Sequence, residues 1–213
     1  IIIRLLKVSS GNVGQFLIST ASWLFLARII VNFGSAAFAG YQFAIRIIIF
    51  TILPSWGMAN AAATLVGQNL GARQPERAEK SVWMAGFLNM VFLGVISIIF
   101  YFASKPVMGL FSSDAEVIRF GTQCLRIVAF GYVFYGYGMV IIQAFNGAGD
   151  SKTPTILNLF GYWLFQIPLA YVMAIKLDFG VSGAFWAIAI AESAMAVAAI
   201  IIFRQGKWKT VKI

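Results

Sequence analysis

Residues 181–203 read VSGAFWAIAIAESAMAVAAIIIF, and this apolar run is the clearest indication of the fold class. Its 23 residues include one charged side chain, Glu192. A helix that crosses the hydrocarbon core of a bilayer needs roughly 20 mostly apolar residues, because each residue advances it by about 1.5 Å. The run therefore predicts a transmembrane helix.

Five similar runs precede it along the chain. Together they predict six spans, at residues 8–33, 38–66, 82–103, 117–145, 155–175 and 181–203. Breakers such as Gly71, Pro75 and Pro106 fall in the predicted connectors, as expected between helices. The alternating ten-residue segments of a membrane β-barrel are absent from the sequence. We predict an all-α integral membrane protein in which residues 1–213 form a single six-helix lobe.

The composition excludes several classes of function. The chain is 61% hydrophobic and 11% charged, whereas a soluble domain carries about 25% charged residues. Its net charge of +9 comes from Lys and Arg spread over the connectors, not gathered on one face as a nucleic-acid site requires. The sequence has no histidine and a single cysteine, Cys124. We therefore expect no metal site, no cofactor and no nucleic-acid partner, and we do not expect an enzyme.

The distribution of basic residues predicts the orientation. One side of the membrane receives ten: Arg4, Lys7, Arg73, Arg77, Lys80, Lys152, Arg204, Lys207, Lys209 and Lys212. The other side receives only Lys105, Arg119 and Lys176. Because basic loops remain in the cytoplasm, both termini are predicted to be cytoplasmic, in the inner or plasma membrane.

A polar stripe follows one face of the first span. Asn12, Gln15, Ser19 and Ser22 recur at steps of three and four residues, which places them on the same side of a helix. Amides and hydroxyls that face lipid lose their hydrogen bonds to water. This face is therefore predicted either to bond another helix or to line a wet cavity.

Two further stripes combine polar and aromatic residues. The second span carries Gln42, Arg46, Ile49, Leu53, Trp56 and Asn60 on one face, and the fourth carries Tyr132, Tyr135, Met139 and Gln143. Such faces bind large apolar or cationic ligands, but they also fill the interior of helix bundles. Both interpretations remain open from the sequence alone.

Four ionisable residues lie at membrane depth: Arg28, Arg46, Arg126 and Glu192. Such groups are costly in a bilayer and are functional candidates. The arginines lie in the outer half, where long side chains can reach the interface. Glu192 lies near the middle of the last span, and we expect it either to pair with an arginine or to exchange a proton.

Prolines interrupt two of the predicted spans. Pro54 lies midway along the second span and Pro168 lies late in the fifth. Each removes a backbone donor and can kink its helix. The kink would serve either the packing of neighbouring helices or a hinge for gating.

Five segments in the connectors and at the ends of the predicted spans carry a likeness to known proteins. The segments that carry the likeness are LVGQNLGARQPERAE (65–79), FNGAGDSKTP (145–154), YQFAIR (41–46), GVSG (180–183) and FRQGKW (203–208). Their order and spacing are similar to the second six-helix lobe of the multidrug and toxin extrusion (MATE) transporters. Because the chain opens on Ile1, we expect it to begin inside a longer protein whose N-terminal lobe is missing here.

The resemblance implies a twelve-helix antiporter with a central cleft between two lobes. It would export small amphipathic or cationic compounds in exchange for H⁺ or Na⁺ by alternating access. The stripes of the first and fourth spans would then face the cleft. Some members bind sodium through a glutamate in the seventh helix and an aspartate in the tenth. Here Thr20 or Ser22 and Tyr135 stand at those places, so the resemblance supplies no coupling residue.

Two other functions remain open. One is a lipid-linked oligosaccharide flippase of the same superfamily, which would need a strongly cationic cleft. The other is a membrane assembly subunit that does not transport. An enzyme would need a nucleophile–base pair or paired carboxylates, and neither pattern occurs in the sequence.

Overall fold

The computed structural model describes the backbone of residues 2–210 and the side chains of residues 13–210. Six long helices contain most of these residues. They are α1 (Ile2–Val31), α2 (Ser35–Gly71), α3 (Pro75–Gly109), α4 (Ala115–Gly147), α5 (Lys152–Lys176) and α6 (Gly180–Arg204), and a short 3₁₀ turn (Lys207–Thr210) follows the last. No strand occurs within residues 2–210. The all-α prediction is confirmed.

The six predicted spans all correspond to helices long and apolar enough to cross a membrane. The helices extend past the predicted bounds, since α2 has 37 residues and α3 has 35. At about 1.5 Å per residue, each is longer than the roughly 30 Å hydrocarbon core. Their ends therefore project into the interface. Gly71 and Pro106, expected in connectors, lie instead in the last turns of α2 and α3.

Helix α4 is the centre of the lobe. It packs along much of its length against α2, α3 and α6, while α5 lies along α6 and α1 packs mainly on α5. The contact with α2 depends on Gly147, where an added Cβ would lie 2.2 Å from the carbonyl oxygen of Ala63. Small residues allow such close approach between membrane helices. The lobe thus consists of a four-helix core and an attached α1–α5 pair.

Helix α5 changes geometry on both sides of Pro168. The segments Leu159–Gln166 and Val172–Lys176 are π-helical, and the N–H of Ile167 donates to the carbonyl of Tyr162, five residues earlier. A proline ring crowds the carbonyl four residues before it, and the wider π turn relieves that crowding. Pro54, in contrast, lies within a continuous α2.

The turn between α4 and α5 explains one of the diagnostic segments. Gly149 has φ of +80°, a conformation that glycine adopts without steric cost. The N–H of Asp150 then donates to the carbonyl of Phe145 at 2.9 Å. The carboxylate of Asp150 accepts bonds from the N–H and the hydroxyl of Thr153, at 3.2 and 2.6 Å. This turn ends one helix and starts the next within a few residues.

A second local structure joins the end of the chain to the start of α3, and we call it the C-terminal clasp (Glu79, Trp83, Phe203, Trp208 and Lys209). Trp208 is 1% exposed and stacks on Phe203 with ring centroids 4.6 Å apart. Lys209 forms an ion pair with Glu79, which also accepts a bond from the indole of Trp83 at 3.2 Å. The clasp connects the ends of α3 and α6 on the side predicted to be cytoplasmic.

Candidate functional site

One face of α2 has no partner within the described part of the chain. The stripe Gln42, Arg46, Ile49, Leu53, Trp56 and Asn60 is exposed along its whole length. Its polar members include a guanidinium, which is costly to place against lipid tails. The face is therefore suited to a wet cleft or to a second protein surface.

The polar stripe of α1 takes part in an interhelical hydrogen-bond network. Gln15 is 8% exposed, and its amide donates to Asn146 Oδ1 at 3.1 Å and to the carbonyl of Ser151 at 3.3 Å. Asn146 in turn donates to Gln143 Oε1 at 3.0 Å. Two predicted site residues, Gln15 and Gln143, are thus brought together through Asn146. The network joins α1, α4 and the start of α5.

The other members of that stripe bond locally. The hydroxyl of Ser19 donates to the carbonyls of Gln15 and Phe16, and that of Ser22 donates to the carbonyl of Ser19. These bonds satisfy both hydroxyls inside their own helix. The side chain of Asn12 lies outside the described residues. The assignment of this stripe to a cleft stays a prediction.

The stripe of α4 is divided between interior and surface. Tyr132 and Met139 are 2% and 8% exposed, packed inside the lobe, because α4 is surrounded by α2, α3 and α6. Tyr132 lies against Phe100 with ring centroids 6.0 Å apart, and its hydroxyl has no hydrogen-bond partner among the described residues. Tyr135 and Gln143 are only partly buried. Tyr135 and Gln143 therefore reach the surface of the lobe, whereas Tyr132 and Met139 lie in its interior.

Glu192 has a tyrosine as its partner, which corrects the expectation of an arginine. The phenol of Tyr162 in α5 donates to Glu192 Oε1 at 3.2 Å. Ion pairs among the described side chains join Glu116 to Arg119 and Glu79 to Lys209. Glu192 does not take part in either, because no arginine of the described helices reaches the middle of α6.

The three intramembrane arginines lie elsewhere. Arg28 lines an open groove of about 440 Å³ between α1 and α5, together with Pro168 and Tyr171. Arg46 belongs to the exposed face of α2. Arg126 donates from Nε to the carbonyl of Tyr101 at 3.0 Å and to Ser104 Oγ at 3.1 Å.

Sequence reasoning missed Tyr162, although a signal for it exists. Asn158, Tyr162 and Gln166 recur at four-residue steps in the fifth span, and Asn158 and Gln166 are buried. It also missed Asn89 in α3, which donates to the carbonyl of Gly136 at 2.9 Å and accepts a bond from Ser55. A single polar residue in an apolar span is the sign of such a contact.

Helix α4, which carries Tyr135, packs against α2 and also against α6, the helix that carries Glu192. Glu192 in turn accepts the bond from Tyr162 of α5. This arrangement suits noncovalent recognition and proton exchange, and no group of three His, Cys, Asp or Glu side chains comes together in the described part.

Comparison with known families and proteins gives consistent results. The family model described as MatE matches residues 10–172. A Thermotoga maritima protein named "Probable multidrug resistance protein NorM" is 26% identical over 92% of this chain and 42% of its own length. A protein of the same name from Pseudomonas syringae pv. tomato is 27% identical over 94% of this chain and 44% of its own.

Solved structures show the same fold. The structure titled "MATE transporter ClbM in complex with Rb+" superimposes with a TM-score of 0.90 at 22% identity, over 97% of this chain and 49% of that one. At this identity the likeness establishes the fold. The chain spans a little under half the length of the curated relatives named above.

Proposed function

The chain belongs to the MatE family, and from that premise we propose that it forms half of the transport pathway of a multidrug efflux antiporter. The complete transporter would move small amphipathic or cationic compounds out of the cell in exchange for H⁺ or Na⁺. The MatE family is a family of transporters, not of enzymes. A second six-helix lobe would complete the cleft.

The observation that carries this proposal is the exposed face of α2. Gln42, Arg46 and Asn60 lie on one side of a membrane helix without a partner in the described lobe. Their hydrogen bonds would be lost in hydrocarbon. A second lobe across a water-filled cleft would satisfy them, and Trp56 on the same face would supply an aromatic surface for an organic cation.

We also propose that the transporter lies in the inner or plasma membrane and that both termini of this chain are cytoplasmic. The support is the ten-to-three distribution of basic residues between the two sides. The C-terminal clasp is consistent with this orientation, since its Lys209 belongs to the basic side.

Efflux of a fluorescent lipophilic cation tests the function. Bacterial cells that lack their own efflux pumps would express either this chain alone or this chain joined to the six-helix half of its own transporter, and would be loaded with ethidium. We expect the joined protein to lower ethidium accumulation and the isolated chain to leave it unchanged, because half of the cleft is missing. Robust efflux by the isolated chain would contradict the proposal.

The same cells distinguish the alternatives. A joined protein that translocates a lipid-linked sugar and leaves ethidium in place would identify a flippase. A joined protein that is correctly inserted and moves neither compound would identify an assembly subunit.

A further inference from the structure

Helix α6 carries a carboxyl group at membrane depth that has no cation beside it. Glu192 lies near the middle of Gly180–Arg204, and the ion pairs of the described side chains do not include it. Its hydrogen-bond donor is the phenol of Tyr162. Glu192 is partly buried, and one phenol replaces only part of the hydrogen bonding that water gives to a carboxylate.

The group that bonds Glu192 is a phenol, that of Tyr162 in α5. The other helix packed on α6 is α4, which carries Tyr135 and also Tyr132, whose buried hydroxyl has no partner among the described residues. Helix α1 also packs near α6, but its Arg28 is directed into the groove beside Pro168. The cluster therefore contains one carboxyl group and no fixed positive charge among the described residues.

We propose that Glu192 is the group through which this lobe binds and releases the proton exchanged during transport, and that Tyr162 is the residue that positions it. The inference rests on the proposed antiporter function. In the uptake step, hydronium transfers its proton to a carboxylate oxygen, a water molecule leaves, and a neutral carboxylic acid remains. The reverse step returns the proton to water on the other side.

The position of Tyr162 gives the protonation a structural consequence. Its bond to Glu192 joins α5 to α6, and the indole of the next residue, Trp163, donates to the carbonyl of Ile18 in α1 at 3.0 Å. A hydrogen bond to a carboxylate is about twice as strong as one to a neutral group. Protonation of Glu192 therefore weakens the attachment of the α1–α5 pair to the four-helix core. The π-helical turn that contains Tyr162 is the element that can rearrange.

The chemistry of the cluster favours a proton over a metal cation. A hard cation needs several oxygen ligands that offer lone pairs. Here a single carboxylate accepts a bond from one phenol, that of Tyr162, whose hydrogen is directed toward it. We therefore assign the proton, with sodium as an outcome that the experiment separates.

The test measures ethidium binding to the complete purified transporter as a function of pH. In an antiporter, proton and substrate binding oppose each other and are thermodynamically linked. For the wild-type protein, the ethidium Kd should rise about tenfold for each pH unit below the pH at which Glu192 titrates. In that range, about one proton should be released for each ethidium bound. For Glu192→Gln, the Kd should not change with pH and no proton should be released.

Two further variants keep the test decisive. Tyr162→Phe removes a donor that favours the ionised carboxyl, so the midpoint of the pH profile should move upward while its slope is retained. If Glu192→Gln does not fold, an unshifted midpoint in Tyr162→Phe overturns the inference. Glu116→Gln is the matched control, because that carboxyl is exposed and paired with Arg119, and its pH profile should equal that of the wild type.

The outcomes separate this inference from the proposed function. The wild-type transporter could move ethidium under an ion gradient while Glu192→Gln keeps the pH profile of the wild type. That result would overturn the role of Glu192 but would support the antiporter function. A wild-type profile that depends on sodium and not on pH overturns the assignment of the proton. A wild-type transporter that moves no ethidium under either gradient overturns the proposed function itself.

Discussion

Trp163 donates its indole hydrogen to the backbone carbonyl of Ile18 at 3.0 Å, and this bond joins α5 to the neighbouring helix α1. Beside it, the ring of Trp163 makes an edge contact with Phe25 in α1, with centroids 5.2 Å apart. Helix α1 packs mainly on α5, while α5 lies along α6. The bond is therefore a probe of how α1 is held to α5.

Replacing Trp163 by Phe should weaken the pair modestly. Phenylalanine keeps an aromatic ring against Phe25 but cannot donate to Ile18. Interhelical hydrogen bonds in membranes contribute on average about 0.6 kcal/mol, so the midpoint of thermal unfolding in detergent should fall slightly. Trp186→Phe is the control, since that indole makes no hydrogen bond to the described residues and should leave the midpoint unchanged. Equal shifts in both variants would contradict the role given to the bond.

Gly147→Ala should separate α2 from α4. The added Cβ would lie 2.2 Å from the carbonyl oxygen of Ala63 and 2.7 Å from its Cα, and backbone atoms cannot move aside without shifting a helix. Overpacking of this kind costs typically 1–3 kcal/mol. We expect a clear loss of thermal stability, measured by the amount of monodisperse protein that survives heating.

Gly94→Ala is the matched control for that substitution. Its Cβ would meet nothing within 4 Å, and alanine is a better helix former than glycine by about 1 kcal/mol. Gly94→Ala should therefore be neutral or stabilising. A stable Gly147→Ala protein would show that the two helices do not approach as closely as described.

Exchanging the charges of the clasp tests the link between α3 and the C-terminal segment. Glu79→Lys should destabilise the protein, because it leaves Lys209 facing another cation. Adding Lys209→Glu restores an opposite pair and should recover the part of the loss that comes from the charges, but not the bond that Trp83 donates to Glu79. A partly exposed pair contributes about 1 kcal/mol or less, so the double-mutant cycle is the appropriate measurement.

The exposed pair Glu116–Arg119 provides the comparison for the clasp. Its side chains are 55% and 63% exposed, and the same exchange there should change stability very little. Failure of the double clasp variant to recover would mean that Glu79 and Lys209 do not interact in the membrane-embedded protein.

The sequence predicted the helices well because the bilayer constrains them strongly. Every backbone polar group of a span must be bonded internally, so long apolar runs such as residues 181–203 could only be helices. The central place of α4 was not predicted, since it depends on which glycines meet which backbones. The close approach of Gly147 to Ala63 is a property of two helices, not of either sequence segment.

The candidate site was predicted less completely for a related reason. Periodicity identified Gln15 and Gln143 as members of polar stripes, but their meeting through Asn146 depends on how α1 lies beside the end of α4. Tyr162 was not identified as a site residue because it is one aromatic residue among several in its segment. Its partnership with Glu192 becomes visible only when α5 lies along α6.

Labelling of single cysteines tests the central claim most directly, namely that lipid surrounds the lobe while the polar face of α2 borders water. The complete transporter, with Cys124 and any cysteine outside this chain replaced by Ser, would carry one cysteine at Gln42, at Asn60 or at Ile98, which is 60% exposed on α3. We predict that a membrane-impermeant maleimide labels the first two positions, that ethidium slows this labelling, and that position 98 reacts only with a lipid-soluble maleimide. Labelling of position 98 by the impermeant reagent, with positions 42 and 60 protected, would contradict the account.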